Sequence, residues 1–240
     1  MGISHGGESM SQYFYTLISN GGLLTFLYII PTVFVALYVR EYSRTYAARR
    51  MGLLVEEKKG FFKYFSVAGY IVAVLTGMGW GKSSEVRLSG EKKSKRVLYH
   101  LSGSIANMLL ALALVLVEAV IFTVMLLLDI DLAGFWDVLL YTLDLVVWTQ
   151  MIMAVCHLVP VPGFDGYLIL KTLFFQKARG NTLLKVEANG KWIFVVMAVS
   201  GVGMYYLAEV PTSAIYSMVI FVQEWLVDLV TGGLFTAMGW

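Results

Sequence analysis

Residues 97–128 read VLYHLSGSIANMLLALALVLVEAVIFTVMLLL, and this stretch decides the class of fold. It contains no Lys or Arg and a single carboxylate, Glu118. About 20 consecutive apolar residues are enough for a helix to cross the hydrocarbon core of a bilayer. The stretch is longer than that, and it has no turn signal in its apolar half. It therefore predicts a transmembrane helix.

The composition of the whole chain is apolar as well, as in a membrane protein. The 240 residues are 58% hydrophobic and 14% charged, and the mean hydropathy is +0.73. Soluble domains carry about 25% charged residues, so this composition excludes an ordinary soluble protein and a disordered one. The single cysteine, Cys156, excludes an internal disulfide and a Cys-rich metal site. We predict an all-α fold, a polytopic transmembrane helical bundle.

Further apolar runs predict about five to six membrane segments in total. We divide the chain into an extracytoplasmic N-terminal segment at 1–22, a membrane core at 23–175 and a C-terminal helical hairpin at 176–240. The predicted apolar segments are residues 23–48, 61–80, 97–128, 135–159 with a short continuation at 167–175, 192–207 and 215–230.

The basic residues predict the orientation of the chain. All of them except Arg40 and Arg44 lie in three stretches, 49–63, 82–96 and 171–191. The positive-inside rule assigns these stretches to the cytoplasm, which places the N-terminus outside and the C-terminus inside. Because segment 61–80 has basic residues on both flanks, we favour a re-entrant or in-plane element there. A crossing segment is the alternative.

Charged residues also occur inside the predicted membrane segments. Arg40 and Arg44 are four residues apart and share one helix face with Glu41 between them. Asp165 follows the sequence PVPG at 160–163, which interrupts a helix and points a side chain into the bundle. Intramembrane charges are costly and are usually paired or functional. We therefore predict an Arg44–Asp165 ion pair with Arg40 or Glu41 beside it; snorkelling of the arginines to the membrane surface is the alternative.

Three stretches, in order, resemble the motifs of site-2 proteases, the intramembrane zinc metalloproteases. REYSRTYAARRMG at 40–52 is similar to their H-E-x-x-H helix, GSIAN at 103–107 to G-P-x-A-N, and HLVPVPGFDG at 157–166 to N-L-L-P-x-P-x-x-D-G. GWGK at 79–82 also resembles a Gly-Trp-x-Lys stretch of the family. The resemblance covers residues 23–175. It implies a site-2-protease-like core in a bacterial or archaeal plasma membrane, with a cleft that receives an unfolded transmembrane segment.

The chain departs from this family at the positions that bind zinc. In the family two histidines and an aspartate hold the metal, and a glutamate activates water. The corresponding positions here are Arg40, Arg44 and Asp165, with Glu41 at the position of the general base. Arginine has no lone pair to donate and stays protonated, so we expect no cofactor at these positions. Without a metal, Glu41 alone lacks activated water.

The resemblance also assigns residues to the former substrate cleft. The family's asparagine in the third motif is His157 here, and the proline of the second motif is Ser104. Gly103 and Asn107 share a helix face that suits close helix packing and an interhelical hydrogen bond. The predicted cleft residues are Asn107, His157, Pro160, Pro162, Asp165 and Gly166.

These observations predict a catalytically inactive member of the family, a pseudoprotease. It would bind a membrane-protein partner or serve as a subunit of a membrane complex in the lipid bilayer, and nothing indicates a nucleic-acid partner. The first alternative is an active intramembrane zinc metalloendopeptidase with unorthodox ligands, His157, Asp165 and Glu41, with His100 as a further candidate.

The second alternative is a membrane subunit that moves ions or protons. It predicts a continuous polar path through Glu118, Asp144 and Asp165, whereas the pseudoprotease prediction requires Asp165 to be closed off in an ion-pair cluster.

Overall fold

The computed structural model describes residues 22–56, 60–76, 79–130 and 134–174, together with residues 185, 189, 190 and 192. Apart from these last four positions, the predicted hairpin at 176–240 and its segments 192–207 and 215–230 lie outside the described residues. So does the predicted N-terminal segment before residue 22. The elements in chain order are α1 (Gly22–Arg50), β1 (Leu54–Glu56), a 3-10 helix (Phe61–Tyr64), α2 (Val67–Thr76), β2 (Glu85–Arg87), α3 (Lys93–Leu127), α4 (Phe135–Leu158) and α5 (Asp165–Phe174).

Two of these helices, α3 and α4, are long and apolar enough to cross a membrane by length and composition. The stretches are Lys93–Leu127 and Val138–Leu158. The outward face of α3 is a row of large apolar side chains, as expected of a surface that contacts lipid. The count of five to six membrane segments stays a prediction. The most exposed members of that row are Leu109, Val120, Leu126, Leu127 and Leu128.

Helices α1, α3 and α4 pack against one another and form the centre of the bundle. Small side chains allow the close approach: Ala111 of α3 lies in one cluster with Met151 of α4, and Ala36 of α1 lies in another with Met153 of α4. All four side chains are completely buried. The same packing brings the polar residues of α1 close to those of α3. It thereby positions the candidate site.

Segment 61–80 leaves and returns to the same side of the bundle. Strands β1 and β2 flank it and pair antiparallel, with Glu56 opposite Glu85. Further in, the backbone N–H of Lys82 donates to the carbonyl of Tyr64 at 2.8 Å. Helix α2 has 10 residues, a length of about 15 Å, and this is half the thickness of a hydrocarbon core of about 30 Å. This course fits a re-entrant or in-plane element, which stays a prediction.

Two glycines allow the returning chain to lie directly against α2. A methyl group on Gly69 would collide with the backbone of Trp80, and one on Gly79 would collide with Gly69 and Ala73. Any larger residue at these two positions would push the return limb away from the helix. Residues 79–84, which we call the return limb, are held in this way beside α1.

The two-stranded ribbon was not part of the all-α prediction. Each strand has only three residues, which is too short for an alternating pattern to stand out in the sequence. The strands pair because the re-entrant segment brings its own two ends together. The inward-facing Val55 and Val86 pack beside a small core of Ala48, Leu53 and Tyr99, which joins the ribbon to α1 and α3.

Candidate functional site

The charged residues of the site reach one place from two distant parts of the chain. Arg40 and Arg44 lie on one face in the last third of α1. Helix α4 ends at Leu158, the chain turns through 159–164 with Gly163 at φ 95°, and Asp165 then begins α5. The predicted break of the helix before Asp165 is therefore confirmed. It turns the carboxylate of Asp165 back towards α1.

Arg40, Glu41, Arg44 and Asp165 form a single buried cluster, which we call the ion-pair cluster. The guanidinium of Arg40 pairs with both Glu41 and Asp165. Arg44 does the same, with Nη1 at 3.4 Å from Oε2 of Glu41 and Nη2 at 3.2 Å from Oδ1 of Asp165. The four side chains are at most 9% exposed. The predicted Arg44–Asp165 ion pair is confirmed, and the two positive and two negative charges cancel.

Three further side chains, from Ser83, Tyr99 and His100, complete the surroundings of the cluster. Nη1 of Arg44 donates to Oγ of Ser83 at 2.8 Å, so the return limb closes one side. The guanidinium of Arg44 also lies over the ring of Tyr99, 4.8 Å from its centroid. Nδ1 of His100 is 3.4 Å from Oδ1 of Asp165. Because Ser83 lies on the return limb and Tyr99 and His100 lie in the first turns of α3, two further elements enclose the four charges.

Two glycines bring backbone within contact of the cluster. A Cβ at Gly103 of α3 would lie 2.8 Å from Cγ of Arg40 and 3.1 Å from Cγ of Arg44. A Cβ at Gly81 of the return limb would lie 2.5 Å from Cγ of Glu41. Both distances are shorter than a van der Waals contact. The absence of a side chain at these positions therefore makes room for the two long arginine side chains.

Two of the predicted cleft residues are buried next to the cluster and hydrogen-bond to backbone carbonyls. Asn107 is completely buried, and its Nδ2 donates to the carbonyl of Ala36 at 3.3 Å, so the predicted interhelical hydrogen bond is confirmed. Nδ1 of His157 lies 2.8 Å from the carbonyl of Met153. A carbonyl only accepts, so this nitrogen carries the proton and Nε2 of His157 is left as an acceptor. That Nε2 has no hydrogen-bond partner among the described residues.

The remaining predicted cleft residues form the turn between α4 and α5. Pro160 is exposed and Pro162 is partly buried. Gly166 is buried, and a methyl group there would collide with the carbonyl groups of Leu158 and Val159. These residues shape the turn that delivers Asp165.

Sequence reasoning missed several buried polar residues. Ser83 binds Arg44, while Ser84 bonds with Thr45 at 3.1 Å. They directly follow the GWGK stretch, but only the folded return limb brings them to α1. Gln150 is completely buried, and neither atom of its amide has a partner in the described part of the chain. In the sequence, an amide side chain within the apolar run 145–156 already indicates an internal polar contact.

The donor atoms at this place do not fit a zinc ion. Zinc takes lone pairs from Cys, His, Asp or Glu, whereas Arg40 and Arg44 fill the space between Glu41 and Asp165 and have none to offer. Across the described ranges, no group of three or more His, Cys, Asp or Glu residues is placed to hold a metal. The alternative set that includes His157 is therefore not assembled as a metal site.

Comparison with known proteins finds sequence similarity between this chain and a protein that is named as a metalloprotease. It is similar to a protein of Bacillus subtilis (strain 168) named putative zinc metalloprotease YwhC, with 25% identity over 193 residues. The match covers 75% of this chain and 84% of the relative. No protein-family profile matches the chain, and no solved structure matches it. The similarity indicates a metalloprotease-like family.

Proposed function

We propose that this protein is a catalytically inactive, site-2-protease-like membrane protein, a pseudoprotease that binds a membrane-protein partner or acts as a subunit of a membrane complex. The observation that carries the proposal is the ion-pair cluster. Arg40 and Arg44 occupy the positions that resemble the zinc-binding histidines of the family, and both hold Asp165. The similarity to the metalloprotease relative supports a protease-like origin.

Charge balance explains how a metal-binding fold can persist without its metal. A zinc ion brings two positive charges to the carboxylates around it. Two guanidinium groups bring the same charge, remain protonated at every relevant pH, and pair with carboxylates through charge-assisted hydrogen bonds. Arg40 and Arg44 therefore neutralise Glu41 and Asp165 as a dication would. Buried carboxylates without such partners would destabilise the fold.

The same contacts remove the means of hydrolysis. A metalloprotease needs a metal-bound water, whose pKa falls from about 15.7 to about 7 on coordination. It also needs a carboxylate that is free to accept the proton of that water. Here both oxygens of Glu41 face guanidinium groups. The proposal therefore assigns no proteolytic step to this chain.

The ion-path alternative finds little support along the helices that would carry it. Glu118 of α3 and Asp165 are separated by a layer of apolar side chains that includes Ala111, Val115 and Met151. Asp165 itself is closed off by two arginines, as the pseudoprotease prediction requires.

The proposed membrane topology and location are those that the sequence predicts. We propose five to six membrane segments, the division at 1–22, 23–175 and 176–240, and a bacterial or archaeal plasma membrane with the N-terminus outside and the C-terminus cytoplasmic. The re-entrant course of segment 61–80 supports this orientation, because it puts the basic stretches 49–63 and 82–96 on one face. The former substrate cleft is the proposed place of the partner.

The decisive experiment measures metal content and proteolysis together. The full chain is purified in detergent without chelators, its zinc is quantified by mass spectrometry, and cleavage of a model transmembrane substrate is assayed in proteoliposomes. We expect far less than one zinc per chain and no cleavage above that of Glu41→Gln. One zinc per chain with cleavage that Glu41→Gln abolishes would overturn the proposal in favour of the active metalloendopeptidase.

A double variant serves as the positive control for the metal assay. Arg40→His with Arg44→His offers two imidazoles on one helix face, with Asp165 across from them, and these are three ligands of the kind zinc prefers. We expect this variant to retain about one zinc per chain where the parent retains almost none. If the double variant also binds none, the resemblance of residues 40–44 to a zinc-binding helix loses its support.

A further inference from the structure

One face of α1 carries a row of aromatic side chains that ends in an arginine. The rings follow at every fourth position, with neighbouring centroids 6.0, 6.3 and 6.4 Å apart, and belong to Phe34, Tyr38, Tyr42 and Tyr46. Residues at this spacing share one helix face. Arg50 continues the row, because its Nε donates to the hydroxyl of Tyr46 at 2.8 Å and its guanidinium lies 5.3 Å from the ring centroid. The aromatic row therefore ends in a cation that is held in place.

A second cation reaches the same surface from the 3-10 helix. Nζ of Lys63 lies 4.9 Å from the centroid of the Tyr64 ring, at a distance that suits a cation–π contact. That ring meets the ring of Tyr42 edge-on, with the two centroids 6.5 Å apart. Tyr42 also stacks on Tyr46, over which Arg50 lies. The two cations therefore flank the rings of Tyr42 and Tyr46, which we call the tyrosine surface.

The tyrosine surface is open, and the same face of α1 becomes apolar in the other direction. Tyr42 and Tyr46 are 50% and 48% exposed, and tyrosines are enriched at the level of lipid head groups because an apolar ring carries a polar hydroxyl. Leu27 and Ile30, seven and four residues before Phe34, extend the row and are also exposed. One helix face therefore changes from hydrocarbon to cation along its length, as a phospholipid changes from acyl chain to head group.

The charge around the tyrosine surface favours an anion. This end of the bundle consists of the end of α1, the ribbon and the start of α3. Among its described residues, exposed Lys and Arg side chains outnumber the exposed carboxylates, which are those of Glu56 and Glu85. A guanidinium and an ammonium both bind phosphate oxygens, the first through two parallel N–H bonds and the second as a point charge. Since Nε of Arg50 bonds to Tyr46, a phosphate would meet the edge with the two Nη atoms.

We propose that Arg50 and Lys63 bind the phosphate of an anionic phospholipid, whose head group lies on the tyrosine surface and whose acyl chain follows the row from Tyr38 to Leu27. The cations recognise the phosphate and the apolar row recognises the chain, so a free phosphate ion would use only half of the site. The inference rests on the membrane location that the sequence predicts. It goes beyond the pseudoprotease proposal, since it would hold equally for an active enzyme.

Native mass spectrometry of the full chain in detergent tests the site, because it resolves each bound lipid. The chain is titrated with phosphatidylglycerol or with phosphatidylcholine, whose choline cation the two basic side chains would repel. We expect the first phosphatidylglycerol to bind about tenfold more tightly, as two basic residues beside an anionic head group typically allow. Equal affinities for the two lipids overturn the proposal. So does equal competition by glycerol phosphate at the concentration of the lipid, because the ligand would then be a free phosphate.

Paired substitutions connect the preference to the two cations. Arg50→Gln combined with Lys63→Gln should reduce the preference for phosphatidylglycerol to less than about twofold. Lys92→Gln combined with Lys93→Gln removes the same charge from two exposed positions at the start of α3, and it should leave the preference unchanged. The helical circular dichroism of each variant shows that it is folded. An equal loss in both double variants would mean that the lipid responds only to net charge, which overturns the proposal.

A variant of unchanged charge tests the geometry of the site. Tyr46→Leu keeps both cations and removes the ring and the hydroxyl that hold the guanidinium of Arg50. We expect phosphatidylglycerol to bind about threefold more weakly, since this is the usual size of an exposed cation–π contact. Binding of phosphatidylcholine should stay the same. Full affinity for phosphatidylglycerol in this variant would show that the tyrosine surface plays no part, and it would overturn the proposal.

Insertion into liposomes of each lipid is scored separately, and we expect the chain to enter both. A chain that enters neither would overturn the predicted membrane location and the lipid site together, whereas entry without a lipid preference overturns the site alone. Zinc content and proteolysis, which test the pseudoprotease proposal, do not depend on either result.

Discussion

The ion-pair cluster and the Glu118–Asp144 pair place carboxylates in two different surroundings within the helical bundle. In the cluster, Glu41 and Asp165 each face two guanidinium groups, and the charges sum to zero within the chain. Glu118 instead lies near another carboxylate, that of Asp144, and its buried Oε1 has no hydrogen-bond partner among the described residues. The difference teaches that the cluster balances its own charges, whereas Glu118 has a like charge as its neighbour.

The largest expected effect breaks the cluster. Asp165→Ala leaves two buried guanidinium groups facing one carboxylate, and loss of one partner of a buried ion pair typically costs about 3–5 kcal/mol. We expect the free energy of unfolding to fall by that amount in a denaturant titration of the detergent-solubilised protein. The double variant Arg44→Met, Asp165→Leu removes one partner of each charge. Its loss of unfolding free energy should be smaller than the sum of the losses in the single variants Arg44→Met and Asp165→Leu. Additive losses would contradict the description of the cluster as one unit.

A smaller loss is expected from crowding the cluster without changing its charge. In Gly103→Ala, the new Cβ would lie 2.8 Å from Cγ of Arg40, so the arginine or the helix must move. Overpacking of this kind typically costs about 1–3 kcal/mol. Ser104→Ala, one residue along the same helix, is the matched control. Its hydroxyl is buried without a partner among the described residues, so its removal should leave stability unchanged or slightly higher.

A carboxylate-to-amide substitution should change the free energy of unfolding in opposite directions in the two regions. Glu41→Gln should lower the free energy of unfolding, because Arg40 and Arg44 lose half of their compensation. Glu118→Gln should raise it by about 1 kcal/mol in the isolated protein, because it removes a partly buried carboxyl group that lies near the like charge of Asp144. Both variants are measured in the same denaturant titration. A loss of stability in Glu118→Gln would show that this chain does compensate the carboxylate.

The smallest effect is expected from metal chelation. Because Arg40 and Arg44 replace the charge of a metal, excess chelator should leave the midpoint of thermal unfolding unchanged. The Arg40→His, Arg44→His variant loaded with zinc should lose stability under the same treatment, since binding of a metal to the native state alone stabilises it. A chelator-dependent midpoint in the wild-type protein would mean that a metal supports its fold.

Much of the helical architecture could be predicted from the sequence, because long apolar runs leave few alternatives to helices. The run at 135–159 became helix α4, Phe135–Leu158, and the run at 23–48 became α1, Gly22–Arg50. Basic residues on both flanks of segment 61–80 predicted that its two ends lie on one side, and the pairing of β1 with β2 agrees with this. The ribbon of β1 and β2 could not be predicted, since its hydrogen bonds exist only after that segment has folded back.

The candidate site was predicted in part. The Arg44–Asp165 pair follows from charge, since carboxylates and guanidinium groups at membrane depth have few other partners. That Arg40 contacts both carboxylates, and that Ser83 closes the side of Arg44, could not be read from the sequence. These contacts depend on the approach of α3 at Gly103 and of the return limb.

The sequence by itself predicted a membrane protein from its hydropathy, and the loss of zinc binding from its resemblance to site-2 proteases. Residue chemistry suffices for both, since hydropathy sets the solvent and a guanidinium has no lone pair. Only the tertiary structure decided which charges meet. Arg40 and Asp165 are 125 positions apart in the chain, and the helix break before Asp165 and the glycine at position 103 bring them together. The same packing left Glu118 and Asp144 facing each other, because distances between helices are fixed by side-chain volume and turn geometry.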